Sequence, residues 1–119
     1  MDQTPEVLVL EPDASTRVLL VAMLRRRKVH ATACSSLREA VVHCLDRDRF
    51  RAVILDSSMP RYDALLRGLT DPPGRARPKI IFAANDAEAR HEYAGVDFVV
   101  TKPFQIEQVD AAIAACCVS

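Results

Sequence analysis

Short, strongly apolar runs recur along the chain at Val7-Leu8-Val9-Leu10, Ala52-Val53-Ile54-Leu55, Ile80-Ile81-Phe82-Ala83-Ala84 and Phe98-Val99-Val100. Unbroken runs of this length suit strands buried on both faces. A weaker segment, Val29-His30-Ala31-Thr32-Ala33, alternates apolar with polar and fits an edge strand of the same sheet. Between the strands the period changes. Leu37, Ala40, Val41, Cys44 and Leu45 recur at helical spacing, and Ser36 with Glu39 forms a capping-box signature ahead of them. The pattern predicts a first helix that starts with Asp13 or Ser15 as N-cap and ends in Arg25-Arg26-Arg27, cations that favour the carboxyl end of a helix dipole. A third helix is predicted over Tyr62 to Leu69, closed by the turn-rich Asp71-Pro72-Pro73-Gly74. A fourth is predicted near Asp86 to Ala94, ending at Gly95, and a last from about Gln105 to Cys117 with a stripe of Ile106, Val109, Ile113 and Cys116.

Strands and helices thus alternate five times in 119 residues, roughly 24 residues per unit, which leaves room only for short connections. Strict alternation implies parallel pairing, right-handed crossovers and helices on both faces. The expected fold is a three-layer, doubly wound α/β sandwich around a five-stranded parallel sheet, with residues 1–119 forming one domain.

Composition narrows the function. Sixteen basic and sixteen acidic side chains cancel, so bulk charge draws the chain toward neither nucleic acid nor an anionic membrane. The longest apolar run, Ala111 to Val118, falls far short of the roughly 18 residues that a membrane span needs. The start, Met1-Asp2-Gln3-Thr4-Pro5, lacks the basic residues and apolar stretch of a secretory signal, so a cytoplasmic protein is expected. Cys34, Cys44, Cys116 and Cys117 have no CxxC spacing and read as reduced, mostly buried thiols; His30, His43 and His91 sit at no ligand spacing to them.

In a parallel sheet every strand's carboxyl end points to one edge, so the residues that follow the strands converge there. They are Glu11-Pro12-Asp13, Asp56, Ala83-Ala84-Asn85 and Lys102. Carboxylates so clustered repel each other, and an oxygen-ligated divalent cation or an ammonium relieves the repulsion. A carboxylate held in that way can act as a nucleophile toward phosphorus. The plainer alternative is that Asp56 merely caps a loop. Phosphate-cradling loops of the GxxxxGK or GxGxxG type cannot form from the three glycines, at 68, 74 and 95, which argues against a nucleotide-binding enzyme.

These residues resemble the receiver domain of bacterial two-component response regulators over nearly the whole chain. Val7-Leu8-Val9-Leu10-Glu11 is similar to its acidic first-strand motif, Ile54-Leu55-Asp56-Ser57-Ser58-Met59-Pro60 to its phosphoacceptor motif, and Thr101-Lys102-Pro103-Phe104 to its lysine motif. Asp63 and Gly95-Val96-Asp97 also match in position. The resemblance implies strand order 2-1-3-4-5 and a flavodoxin-like fold. It implies phosphoryl transfer from a histidine kinase or phosphotransferase to Asp56, with Lys102 contacting the phosphoryl group, and Mg²⁺ held among Glu11, Asp13, Asp56 and Ser58. It also implies a cis form of the Lys102-Pro103 bond and a downstream protein partner, with a homodimer left open; the balanced charge and the short apolar runs leave neither nucleic acid nor membrane as an expected target.

Departures from the pattern bear on mechanism. Where the family has a second acid after the first strand, the chain has Pro12, which supplies no side-chain oxygen. The hydroxyl residue that ends the fourth strand is replaced by Ala83, and the switch aromatic before the lysine by Val99, with Phe98 beside it pointing to the opposite face. The stretch from Ala83 to Lys102 is about one helical turn shorter than in the family. Two readings follow: a receiver that accepts phosphate on Asp56, or a degenerate receiver that works as a phosphorylation-independent interaction module.

Overall fold

The structure is a computed structural model and describes residues 4–44, 49–70, 77–85 and 95–117. In chain order the elements are β1 (Glu6–Leu10), α1 (Ala14–Arg26), β2 (His30–Cys34), α2 (Leu37–His43), β3 (Ala52–Asp56), α3 (Tyr62–Thr70), β4 (Lys79–Ala84), β5 (Phe98–Thr101) and α4 (Ile106–Cys117). The five strands form one parallel sheet in the order β2-β1-β3-β4-β5. The helix expected near 86–94 and the turn over 71–74 lie outside the described residues.

Alternation along the strands divides the core. Val7 and Val9, Ala52 and Ile54, and Ile81 and Ala83 face α1 and α4, where Leu20, Leu24, Val109, Ile113 and Cys116 meet them. Leu8 and Leu10, Val53 and Leu55, and Ile80 and Phe82 face α2 and α3, where Ala40, Leu65, Leu66 and Leu69 close the second layer. Both faces of β1, β3 and β4 are therefore buried, the physical reason their sequences are unbroken apolar runs. Edge strand β2 keeps only Cys34 buried, with Ala31 and Thr32 half-buried and Ala33 exposed, so its burial does not follow the alternation of its sequence.

Helix starts follow their caps. Asp13 accepts from Thr16 N at 2.8 Å and opens α1; Ser36 accepts from Glu39 N at 3.3 Å and opens α2. The apolar stripe read for α2 is only partly realised: Ala40 is buried and Leu37 and Cys44 pack against the core, but Val41 is 47% exposed, and Leu45 lies outside the described residues. The helix is seven residues long and leans on the sheet mainly through Ala40, too short to carry a second buried turn. Leu8, fully buried under α2 and α3, tests the core. Leu8→Ala is expected to lower the stability by about 3 kcal/mol, read as a shift in the urea midpoint at unchanged slope.

Candidate functional site

Each residue at the carboxyl edge is positioned by backbone bonds that extend the sheet. Glu11 directly follows β1; its N–H donates to Cys34 O at 3.1 Å, and its carbonyl accepts from Arg17 Nη1 at 2.8 Å. Asp56 is the last residue of β3 and pairs in register with Ala83. Beyond it, Ser57 N donates to Ala83 O at 2.9 Å and Met59 N to Asp56 O at 3.2 Å, a tight turn that holds the acidic side chain at the strand tip. Lys102 follows β5, with its N–H on Ala84 O at 2.9 Å and a cis bond to Pro103. Gln108 of α4 ties down the preceding residue, accepting from Thr101 N at 3.0 Å and from Thr101 Oγ1 at 2.9 Å.

The result is a compact ionic triad. Lys102 Nζ lies 2.9 Å from Asp56 Oδ1 and also donates to Glu11 Oε1. Ser58 Oγ donates to Asp56 Oδ2. The carboxylate residues are almost dry, Glu11 at 2% and Asp56 at 3% exposure, while the Lys102 side chain keeps 28%. Buried carboxylates persist as ions only when paired or hydrogen-bonded, and a single ammonium here serves two of them. Burial alone pulls the Lys102 ammonium down, but its hydrogen bonds to Glu11 and Asp56, joined by their charges, outweigh that and hold it above the usual lysine range. Lys102 Nζ also lies 5.9 Å from the Phe104 ring centroid, within cation–π range.

The residues read from sequence separate into two groups. Glu11, Asp56, Ser58 and Lys102 meet. Asp13 does not join them in contact: its Oδ2 accepts from Thr16 N, from Thr16 Oγ1 at 2.6 Å and from Ser15 Oγ at 3.3 Å. The Thr16 hydroxyl bond first, then its backbone N–H, hold the Asp13 carboxyl below its ordinary range. Ala83 is buried and carries no hydroxyl toward the site. Val99 packs toward α2 and α3 and Phe98 toward α1 and α4, the opposite-face arrangement expected of a regular strand. Arg17, which clamps the carbonyl after β1, had no sequence signal; its role arises only where the helix's first turn folds back over the loop.

A divalent cation would find a reduced donor set. Glu11 Oε2 is buried without a hydrogen-bond partner, an orphaned carboxylate oxygen that a cation would satisfy. Asp56 lies beside it through the shared Lys102, and Ser58 adds a hydroxyl, so these residues fit a cation. Among the described residues, however, no group of three or more His, Cys, Asp or Glu side chains is placed to hold a metal. The cysteines stand apart from this chemistry. All four are free, and burial pushes the Cys34 thiol up to about 12 and Cys117 up to about 11, so neither is a thiolate at neutral pH.

Comparison with known proteins places this geometry in a fold. No family model matches the chain, and no curated protein matches it by sequence. Solved structures match closely. The receiver domain (CheY-like) from Methylobacillus flagellatus superposes with a TM-score of 0.81 at 19% identity, covering 95% of this chain and 98% of its own. The chemotaxis response regulator CheY4 of Vibrio cholerae gives 0.78 at 17% identity over 95% and 98%. A third match, 0.79 at 19% identity over 95% and 88%, is a co-crystal structure of the Saccharomyces cerevisiae histidine phosphotransfer signaling protein Ypd1 and the receiver domain of its downstream response regulator Ssk1. At these identities the likeness is one of fold: the chain has the flavodoxin-like architecture of response regulator receiver domains.

The site makes two predictions. The stability that Lys102 contributes through its raised pKa is fully present below the ordinary lysine value of 10.5 and is lost as pH rises through the higher folded value. Lys102→Gln should therefore destabilise by a constant amount from about pH 6 to about pH 9, and the deficit should shrink above roughly pH 10.5, measured by urea unfolding at each pH. Pro12→Asp should tighten Mg²⁺ binding, followed by NMR shift titration, because it adds a second acid directly after Glu11; unchanged affinity would show that the residue at position 12 does not limit Mg²⁺ binding.

Proposed function

We propose that this chain is a receiver domain of two-component signal transduction that accepts a phosphoryl group on Asp56 and signals through protein contacts in the cytoplasm. The observation that carries the reading is a nearly dry Asp56 carboxylate at the tip of the central strand with Lys102 Nζ 2.9 Å away. The donor is a phosphohistidine on a histidine kinase or phosphotransferase, a partner class that the Ypd1 complex illustrates for a chain of this fold.

In the transfer, an Asp56 carboxylate oxygen attacks phosphorus. The new O–P bond forms as the N–P bond breaks, and the imidazole leaves with the electron pair and is protonated. Lys102, already at the carboxylate and held fully charged, is placed to balance the phosphoryl oxygens. Glu11 keeps Lys102 close when Asp56 exchanges its charge for the phosphoryl group. Glu11 and Asp56, with Ser58 beside them, are the residues that would hold Mg²⁺. When bound, the ion supplies further neutralisation of the transferring group. Asp56 is consumed and regenerated in signalling, so the chain acts as a phosphoryl acceptor and not as a turnover enzyme.

A second reading is favoured by a separate observation. The ammonium already bridges both buried carboxylates, Asp13 is committed to the helix cap, and buried Ala83 supplies no hydroxyl donor. A degenerate receiver would keep this triad as a structural ion cluster and work by docking alone.

Incubation with Mg²⁺ and acetyl phosphate, followed by intact mass, separates the two. Wild type is expected to gain one phosphoryl adduct, and Asp56→Asn is expected to gain none while staying folded by circular dichroism. Label retained in Asp56→Asn would overturn the assignment of the acceptor. A folded wild type that takes up neither phosphoryl group nor beryllofluoride would establish the docking module instead.

A further inference from the structure

The amino-terminal edge of the sheet, opposite the candidate site, gathers cations from segments far apart in the chain. Arg26, Arg27 and Lys28 close α1 and lead toward β2, Arg51 immediately precedes β3, and Lys79 opens β4. Backbone bonds set these segments side by side: Arg51 N donates to Glu6 O at 2.8 Å, and Lys79 N to Arg51 O at 3.0 Å. Helix α4 ends at the same edge, where Arg51 Nη1 reaches Cys117 O at 3.3 Å. All of these cations are exposed. Arg26 and Arg27 share Asp110, at 3.0 and 3.5 Å, whereas Lys28 and Lys79 have no ion pair among the described residues. Cations at a helix carboxyl end answer the helix dipole, which accounts for Arg26. That explanation does not extend to Arg51 and Lys79, which flank strands whose net dipole is small.

Between the end of α1 and the last turns of α4 lies a hollow of about 310 Å³. Its recessed lining includes the buried apolar residues Val29, Ile113 and Cys117, and its exposed rim is Arg26, Arg27 and Lys28. We propose that this hollow docks an acidic segment of a partner protein, which inserts one apolar side chain against Ile113 while its carboxylates meet Lys28, Arg27 and Arg51. An apolar floor inside a cationic rim is the complement of such a segment. A nucleic acid fits less well, since no exposed Phe or Tyr stands at this edge among the described residues to stack on bases. A membrane surface fits less well too, because the apolar atoms here are recessed and a bilayer needs them to protrude. The inference does not depend on phosphorylation of Asp56, which sits at the other end of the strands.

The test is fluorescence anisotropy with a short labelled peptide of Asp and Glu residues around one central Leu. The same titration is run with Ser in place of that Leu, with a labelled single-stranded oligonucleotide, and with phosphatidylserine vesicles. The Leu peptide is expected to bind, to weaken about ten-fold when Leu becomes Ser, and to weaken further with added salt. Lys28→Glu should weaken it about five-fold by reversing an unpaired cation. Ala114→Trp, at an exposed α4 position lining the hollow, should block it without disturbing the core, and circular dichroism checks that both variants fold. Failure of the peptide to bind folded wild type, binding unchanged by Ala114→Trp, or tighter binding of the oligonucleotide or the vesicles would each overturn the proposal.

Discussion

Two carboxylates brought out of water at one sheet edge share a single ammonium, and the arrangement of that edge is built around this shortage of positive charge. Glu11, Asp56 and Lys102 leave a formal surplus of one negative charge in a nearly dry place. Removing one partner of a fully buried ion pair costs about 3–5 kcal/mol, because the other is left uncompensated. Lys102 retains partial contact with water, so screening puts its value below that range. The orphaned Glu11 Oε2 marks where satisfaction is incomplete.

The loop after β1 shows competition for one side chain. Asp13 has the chemistry to extend the acidic cluster, yet it satisfies one orphan amide of α1, that of Thr16, and takes two hydroxyl bonds as well. A carboxylate that accepts three local hydrogen bonds at a helix amino terminus gains from both the bonds and the dipole. Moving it inward would uncover the helix end. Pro12, which has no donor or acceptor in its side chain, occupies the position between, and Arg17 clamps the carbonyls on either side of it, at 2.8 Å from Glu11 O and 3.4 Å from Pro12 O.

Net charge conceals how the molecule distributes its ions. Buried Glu11 and Asp56 lie where β1 and β3 end, whereas exposed Arg51 and Lys79 stand where β3 and β4 begin, on the same edge as the paired acids Glu6 and Asp97, so a chain with no overall charge carries different ion clusters at its two edges. The parallel sheet enforces the separation, since every strand runs the same way and every crossover helix runs back. The ionic triad at one edge and the cation-rimmed hollow at the other are thereby kept apart by the length of the strands.

The chain's own pattern determined a good deal. Apolar runs such as Val53-Ile54-Leu55 marked strands buried on both faces, Ser36 and Asp13 marked helix starts, and Asp56 and Lys102 were identifiable because a strand's carboxyl end is readable from where its apolar run stops. Such signals are local: they depend on side-chain period and on hydrogen bonds a few residues away. What the tertiary structure decided is everything that depends on which of several partners a side chain meets. Asp13 turned to the cap and not to the cluster, Lys102 bridged two carboxylates 91 and 46 residues distant in sequence, and Val41 stayed exposed although its spacing placed it on the apolar face. Arg51 and Lys79 joined Lys28 at one edge only through strand register. Position along the chain carries no measure of those distances, which exist once the sheet has been assembled.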